Sequence, residues 1–111
     1  MSEQDLVNSI IDYIHLKGGV ATRINSGMVL VDRRLEGKQR VFRGAPAGTS
    51  DILACVNGRY IAIECKLPGN KPTDLQRDYL ARVEEAGGFA LVVSSIDDAI
   101  TIIDNIMETT K

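Results

Sequence analysis

Apolar positions fall along this chain in two rhythms, and their alternation predicts the elements. Leu6, Val7, Ile10, Ile11 and Ile14 recur at helical spacing. Ser2 and Asp5 stand ahead of them as a loose capping box, with Asp in place of Glu or Gln. A helix over about residues 3–17 follows, stopped by Gly18-Gly19. Glu3 lies in its first turn, where a carboxylate favours the helix dipole. Gly19 to Asn25 and Met28 to Leu35 then read as strands separated by Ser26-Gly27, and Gln39 to Phe42 extends or returns the second of them. Arg43 to Ser50 is a loop of small residues that allows a ligand backbone close approach.

Period-two patterning is clearest over Asp51–Val56 and Arg59–Lys66. The intervening Asn57-Gly58 favours a two-residue type I′ turn, since both central residues need positive φ. That turn sets the register. Val56 pairs with Arg59, and Asp51 falls opposite Glu64. One face then carries Ile52, Ala54, Val56, Ile61, Ile63 and Cys65; the other carries Asp51, Leu53, Cys55, Tyr60, Ala62, Glu64 and Lys66. Both faces are largely apolar, which places the hairpin centrally with cover on both sides.

Beyond a Pro/Gly loop, Thr73 caps a helix with Leu75, Tyr79, Leu80 and Val83 on one side, ended by Gly87-Gly88. Phe89 to Val93 reads as a short buried strand. Ser95 caps a last helix carrying Ile96, Ile100, Ile103, Ile106 and Met107. No repeat, low-complexity tract or linker interrupts residues 1–111, so one domain is expected, of α/β class. Its mixed sheet is flanked by helices in the order α-β-β-β-(β)-α-β-α, and its last β-α-β step is a right-handed crossover if those strands are parallel.

Composition changes this picture little. The 44% apolar and 25% charged fractions are those of an ordinary globular protein. No apolar run approaches the ~20 residues of a membrane helix. The polar, acidic N-terminus is no secretory signal, so an intracellular, cytoplasmic setting is expected, with no membrane partner. The net charge of −2 argues against a nucleic-acid partner until its distribution is considered. Arg33, Arg34, Lys38, Arg40 and Arg43 stand together against Glu36 alone. Such a patch is the footprint of phosphate binding, or else a solvated loop of scattered charge. Cys55 and Cys65 fall on opposite faces of the hairpin. They therefore read as buried thiols, with neither a disulfide nor a zinc site in prospect.

The polar cluster at the hairpin's open end carries the chemistry. Directly paired side chains have Cβ atoms about 4.5–5.5 Å apart. Two carboxylates at that spacing suit a hard divalent cation, which takes oxygen ligands at about 2.0–2.1 Å if it is Mg²⁺. Lys66, two residues beyond Glu64, shares its face. The alternative is a buried ion-pair triad, with Lys66 paired to both carboxylates.

Asp51 followed by Glu64-Cys65-Lys66 resembles the PD-(D/E)xK nuclease superfamily. Glu3 on the first helix, Gly48-Thr49-Ser50-Asp51, Gln76 and the segment Arg23-Ile24-Asn25-Ser26-Gly27 narrow the resemblance to its VRR-NUC (virus-type replication-repair nuclease) group, over nearly the whole chain. One departure is Ser50, where that group usually has proline. The resemblance implies a restriction-endonuclease-like fold and a set of roles. Asp51 and Glu64 would be metal ligands, joined by the Cys65 carbonyl and by Glu3, directly or through water. Lys66 would polarise the attacking water or stabilise transition-state charge. Gln76 would orient Lys66 or the water. Arg33, Arg34, Lys38, Arg40 and Arg43 would grip phosphates. His15 reads as a surface or dipole-stabilising residue at a helix end, and Tyr13, Tyr60 and Tyr79 as core or edge packing, with stacking of one of them on a base as the alternative. Stand-alone members look like Holliday junction resolvases acting as homodimers. The expectation is therefore a Mg²⁺- or Mn²⁺-dependent endonuclease for branched DNA, homodimeric through its later helices or strand edges, of phage or bacterial origin. Against it stand a flap, single-strand or nicking nuclease, and a catalytically silent DNA-binding subunit.

Overall fold

The computed structural model describes residues 1–24 and 45–109 in full, and the backbone of 28–33 and 38–43. Its elements are α1 (Glu3–Leu16), β1 (Val20–Arg23), β2 (Met28–Arg33), β3 (Lys38–Arg43), β4 (Ile52–Val56), β5 (Arg59–Cys65), α2 (Asp74–Glu85), β6 (Phe89–Val93) and α3 (Ile96–Glu108).

The helix signals read from the sequence form as physical caps. Ser2 Oγ accepts from the Asp5 N–H at 3.0 Å, and Asp5 Oδ2 accepts from the Ser2 N–H at 3.1 Å. Asp5 thus completes the reciprocal box despite its shorter side chain. Leu6, Val7, Ile10 and Ile14 form the buried stripe of α1. Tyr13 donates from its hydroxyl to Asp104 at 2.5 Å, tying α1 to α3.

The main sheet has the order β1-β4-β5-β6. The first three strands run antiparallel, and β5 and β6 run parallel, joined through α2. The hairpin register is the one the turn dictates, from Val56↔Arg59 to Ile52↔Ile63. Asn57 and Gly58 have φ of 51° and 78°, as a type I′ turn requires. Ile52, Ala54, Val56, Ile61, Ile63 and Cys65 pack with α1 and with Ala99, Ile103 and Ile106 of α3. Among the described residues the other face is covered by α2 alone, where Leu80 and Val83 meet Ala62.

Several expectations need correction. Five strands precede α2, because Lys38–Arg43 returns as a strand of its own. It pairs antiparallel with β2 in a separate two-stranded sheet. The hairpin is not covered on both faces: α2 lies over β5 and β6, so Cys55 on β4 is exposed and only Cys65 is a buried thiol. Both cysteines are free. β6 is an edge strand, which leaves Val92 exposed. Leu75 is exposed too, since it sits in the first turn of α2, against the Gly48 loop rather than the sheet. Among the described residues no helix is long and apolar enough to cross a membrane.

Candidate active site

The open end of the hairpin is closed by a side chain. Asp51 lies one residue before β4, and its carbonyl accepts from the Ile24 N–H at 2.9 Å, continuing the pairing with β1. Its Oδ2 accepts from the Cys65 N–H at 2.9 Å. A carboxylate thus holds a main-chain donor of β5, and the residue opposite Cys65's neighbour Glu64 is pinned in place. Cys65 turns its side chain into the core. Burial first, then the charges of Asp51 and Glu64, push its thiol up to about 12. The sulfur is therefore a neutral core group, and only the main chain of Cys65 belongs to the site.

Glu64 is the decisive residue, at 1% exposure. Its Oε1 accepts from Gln76 Nε2 at 3.2 Å. Its Oε2 is buried and has no donor. Two facing carboxylates can bond to one another only by sharing a proton. With both ionised, Oε2 is an orphan, which is costly in a buried setting. Burial, then the hydrogen bond and charge of Asp51, push the Glu64 carboxyl up to about 8; Lys66 pulls it the other way, and Glu3 adds a last, small push upward. An acid so displaced by burial and a like charge is characteristic of functional clefts.

Gln76 has two duties. Its Oε1 accepts from the Thr73 N–H at 2.8 Å, while Thr73 Oγ1 accepts from the Gln76 N–H at 3.2 Å. It is thus the N3 member of the α2 capping box as well as the donor to Glu64. The sequence expectation had it orienting Lys66 or a water; the structure puts its amide on Glu64. The Thr-x-x-Gln signal for the cap was present in the sequence, but the partner was not. Gly48 is a second contributor that sequence reasoning left unassigned. It has φ of +89°, and an added Cβ would lie 2.6 Å from the Leu75 carbonyl oxygen. This close approach seats the loop before Asp51 on the first turn of α2. Thr49 anchors the same loop, donating to the Pro46 carbonyl at 2.6 Å. Ser50, where proline was expected, is fully buried with its hydroxyl unpartnered.

Lys66 follows Glu64 by two residues, and its N–H donates to the Val93 carbonyl at 2.9 Å. Among the described residues the ion pairs are Arg77–Asp74 and Arg82–Asp78. Lys66 therefore does not close onto Asp51, Glu64 or Glu3, so the alternative of a buried ion-pair triad with Asp51 and Glu64 does not form. Glu3 is near enough to be felt at Glu64. Yet among the described residues no group of three or more His, Cys, Asp or Glu side chains could hold a metal ion. The structure brings Asp51, Glu64 and Gln76 together, with Lys66 beside them and Glu3 at the periphery. Arg34, and the side chains of Arg33, Lys38, Arg40 and Arg43, lie outside the described residues. His15 is set against β1, its Nε2 accepting from the Ala21 N–H at 3.1 Å.

With this geometry in hand, the chain can be compared with known proteins. A solved structure described as "VRR_NUC domain" matches over 92% of this chain and 94% of that one, with a TM-score of 0.66 and 20% sequence identity. The fold is that of a VRR_NUC domain. No family model matches the sequence, and no curated protein matches it. In the VRR_NUC fold of this chain, the mixed sheet delivers Asp51 and Glu64 to one rim and the start of α2 delivers Gln76.

Proposed function

We propose that the protein is a metal-dependent, structure-selective DNA endonuclease that hydrolyses phosphodiester bonds in branched DNA such as four-way junctions, working as a homodimer. The observation that carries this reading is the buried Glu64 oxygen without a donor, facing Asp51 in a VRR_NUC fold. A hard cation suits that donor set. Asp51 and Glu64 would hold Mg²⁺ or Mn²⁺, with the Cys65 carbonyl and Glu3 as further oxygen ligands; Mg²⁺ usually keeps several waters and is bound through one or two carboxylates. Such an ion, when bound, lowers the pKa of a water and stabilises charge on a phosphate.

The chain's own residues do the rest. Asp51 fixes the end of β5 through the Cys65 N–H, so the two carboxylates keep one spacing. Gln76 ties down Glu64 Oε1 and leaves the buried Oε2 as the unfilled valence. Lys66 places a compact positive charge on the same rim, suited to the negative charge that builds on a phosphate under attack. A two-fold dimer would set two such rims against two strands of one junction.

Cleavage of a four-way junction, a flap and a linear duplex, with and without Mn²⁺, tests the reading. The junction is expected to be cut by the wild-type protein with metal, and about 100-fold more slowly by Lys66→Ala. If neither Mg²⁺ nor Mn²⁺ supports cleavage of any substrate, the protein is not a nuclease. If the flap alone is cut, junction selectivity is wrong while the chemistry stands.

A further inference from the structure

A cavity of about 690 Å³ opens at the other end of the hairpin, between the Asn57-Gly58 turn, α2 and the start of β6. Its volume is that of a small-molecule site. Tyr60, Tyr79, Arg59 and Arg82 line it, with Val83 and Phe89 as apolar lining, and among the described residues no carboxylate side chain lines it. The two tyrosine hydroxyls stand 3.5 Å apart. Arg82 stacks on the Tyr79 ring, 5.7 Å from its centroid, and spends its Nε on Asp78, which lies outside the cavity lining. Arg59 spends one Nη on the Asn57 carbonyl at 2.7 Å, while its Nε is buried with no partner. The remaining Nη groups of the two arginines are the donors that an anion in the cavity would meet.

We infer that this cavity binds a nucleotide, with the base against the tyrosine rings and the phosphate held by Arg59 and Arg82. Aromatic faces beside guanidinium groups are the elements that stack bases and hold phosphates in single-strand binding sites, and the described lining, with arginines and no carboxylate side chain, suits an anion. Burial, then the neighbouring Tyr79, push the Tyr60 phenol up to about 12, so it remains a neutral hydrogen-bond donor.

Nucleotide binding here does not depend on cleavage at Asp51 and Glu64. Tyr60 and Glu64 share one face of β5, and α2 spans both places, with Gln76 at Glu64 and Val83 at the cavity. Five residue steps along the strand, about 17 Å, lead from Arg59 to Glu64. That is roughly five nucleotides of a stacked strand.

Amide chemical-shift mapping on the full chain in EDTA provides the test, with dAMP, deoxyadenosine, inorganic phosphate and a single-stranded pentanucleotide as probes. dAMP is expected to shift Tyr60, Tyr79, Arg82 and Gly88. Deoxyadenosine and phosphate alone should each bind at least about tenfold more weakly, since each supplies half of the contact. Arg82→Ala and Tyr60→Ala, both at exposed side chains, should each weaken dAMP about tenfold, while Arg77→Ala on the same helix should not. A pentanucleotide that binds well above dAMP through the same residues assigns the source to a strand, and equal affinity assigns it to a free nucleotide. The inference is overturned if dAMP shifts only residues around Asp51, Glu64 and Lys66, if phosphate alone binds as tightly, or if both cavity variants keep wild-type affinity.

Discussion

A carboxylate at 1% exposure needs a proton, a donor or a cation for each of its oxygens, and Glu64 has a protein donor for one. Its stability consequence has a definite sign. The ordinary value of 4.5 rises to about 8 in the folded protein, so the folded state holds the proton more tightly than the unfolded chain. The contribution is fully present below pH 4.5 and is lost as the pH climbs to about 8. In EDTA, the melting temperature of the wild type should fall across that window, and that of Glu64→Gln should not. Mn²⁺ should recover the loss at pH 8 in the wild type alone. Parallel pH profiles for the two proteins would remove Glu64 as the cause. The residue pair itself was legible, because an Asn-Gly turn leaves one register open to Asp51 and Glu64. The fate of Lys66 was not, because register fixes the face of a long side chain but not where its ammonium settles.

At the scale of elements, the start of α2 joins helix capping to the site. Thr73 and Gln76 cap each other, and Gln76 also donates to Glu64. Two substitutions separate the duties. Thr73→Ala removes a cap worth about 1 kcal/mol, roughly 4–8 °C in a domain of this size, and should leave cleavage nearly intact at low temperature. Gln76→Glu retains a capping-box residue but replaces the donor to Glu64 with a third carboxylate. It should keep the helix, by circular dichroism, and lose most cleavage. Equal losses of activity in both variants would mean that the helix, not the amide, matters. The cap was written in the sequence as Thr-x-x-Gln. The amide's partner depended on how α2 docks, which no local signal encodes. The same reason explains Leu75, Cys55 and Val92, apolar or half-apolar positions that the pattern assigned inward and that the limited cover of α2 and the edge position of β6 leave exposed.

At the scale of the molecule, the proposed cleavage of two strands of a junction by a chain of 12.1 kDa, with one carboxylate rim among the described residues, would require two copies to meet. Light scattering in solution should therefore return about twice the chain mass; a monomer that still resolves four-way junctions symmetrically would sink the dimer. The sequence by itself determined what is local and periodic: three capped helices, the hairpin with its register, the face shared by Glu64 and Lys66, and the choice of a mixed sheet. Hydrogen-bond geometry and the alternation of side chains allow few other solutions there. Only the tertiary structure decided that β2 and β3 stand as a sheet apart, that α2 covers half a face, that Gln76 reaches Glu64 rather than Lys66, and that a cavity with two arginines and two tyrosines forms at the far end of the same strand. These depend on which surfaces exclude water against one another, and that is settled by the packing of elements distant in the chain.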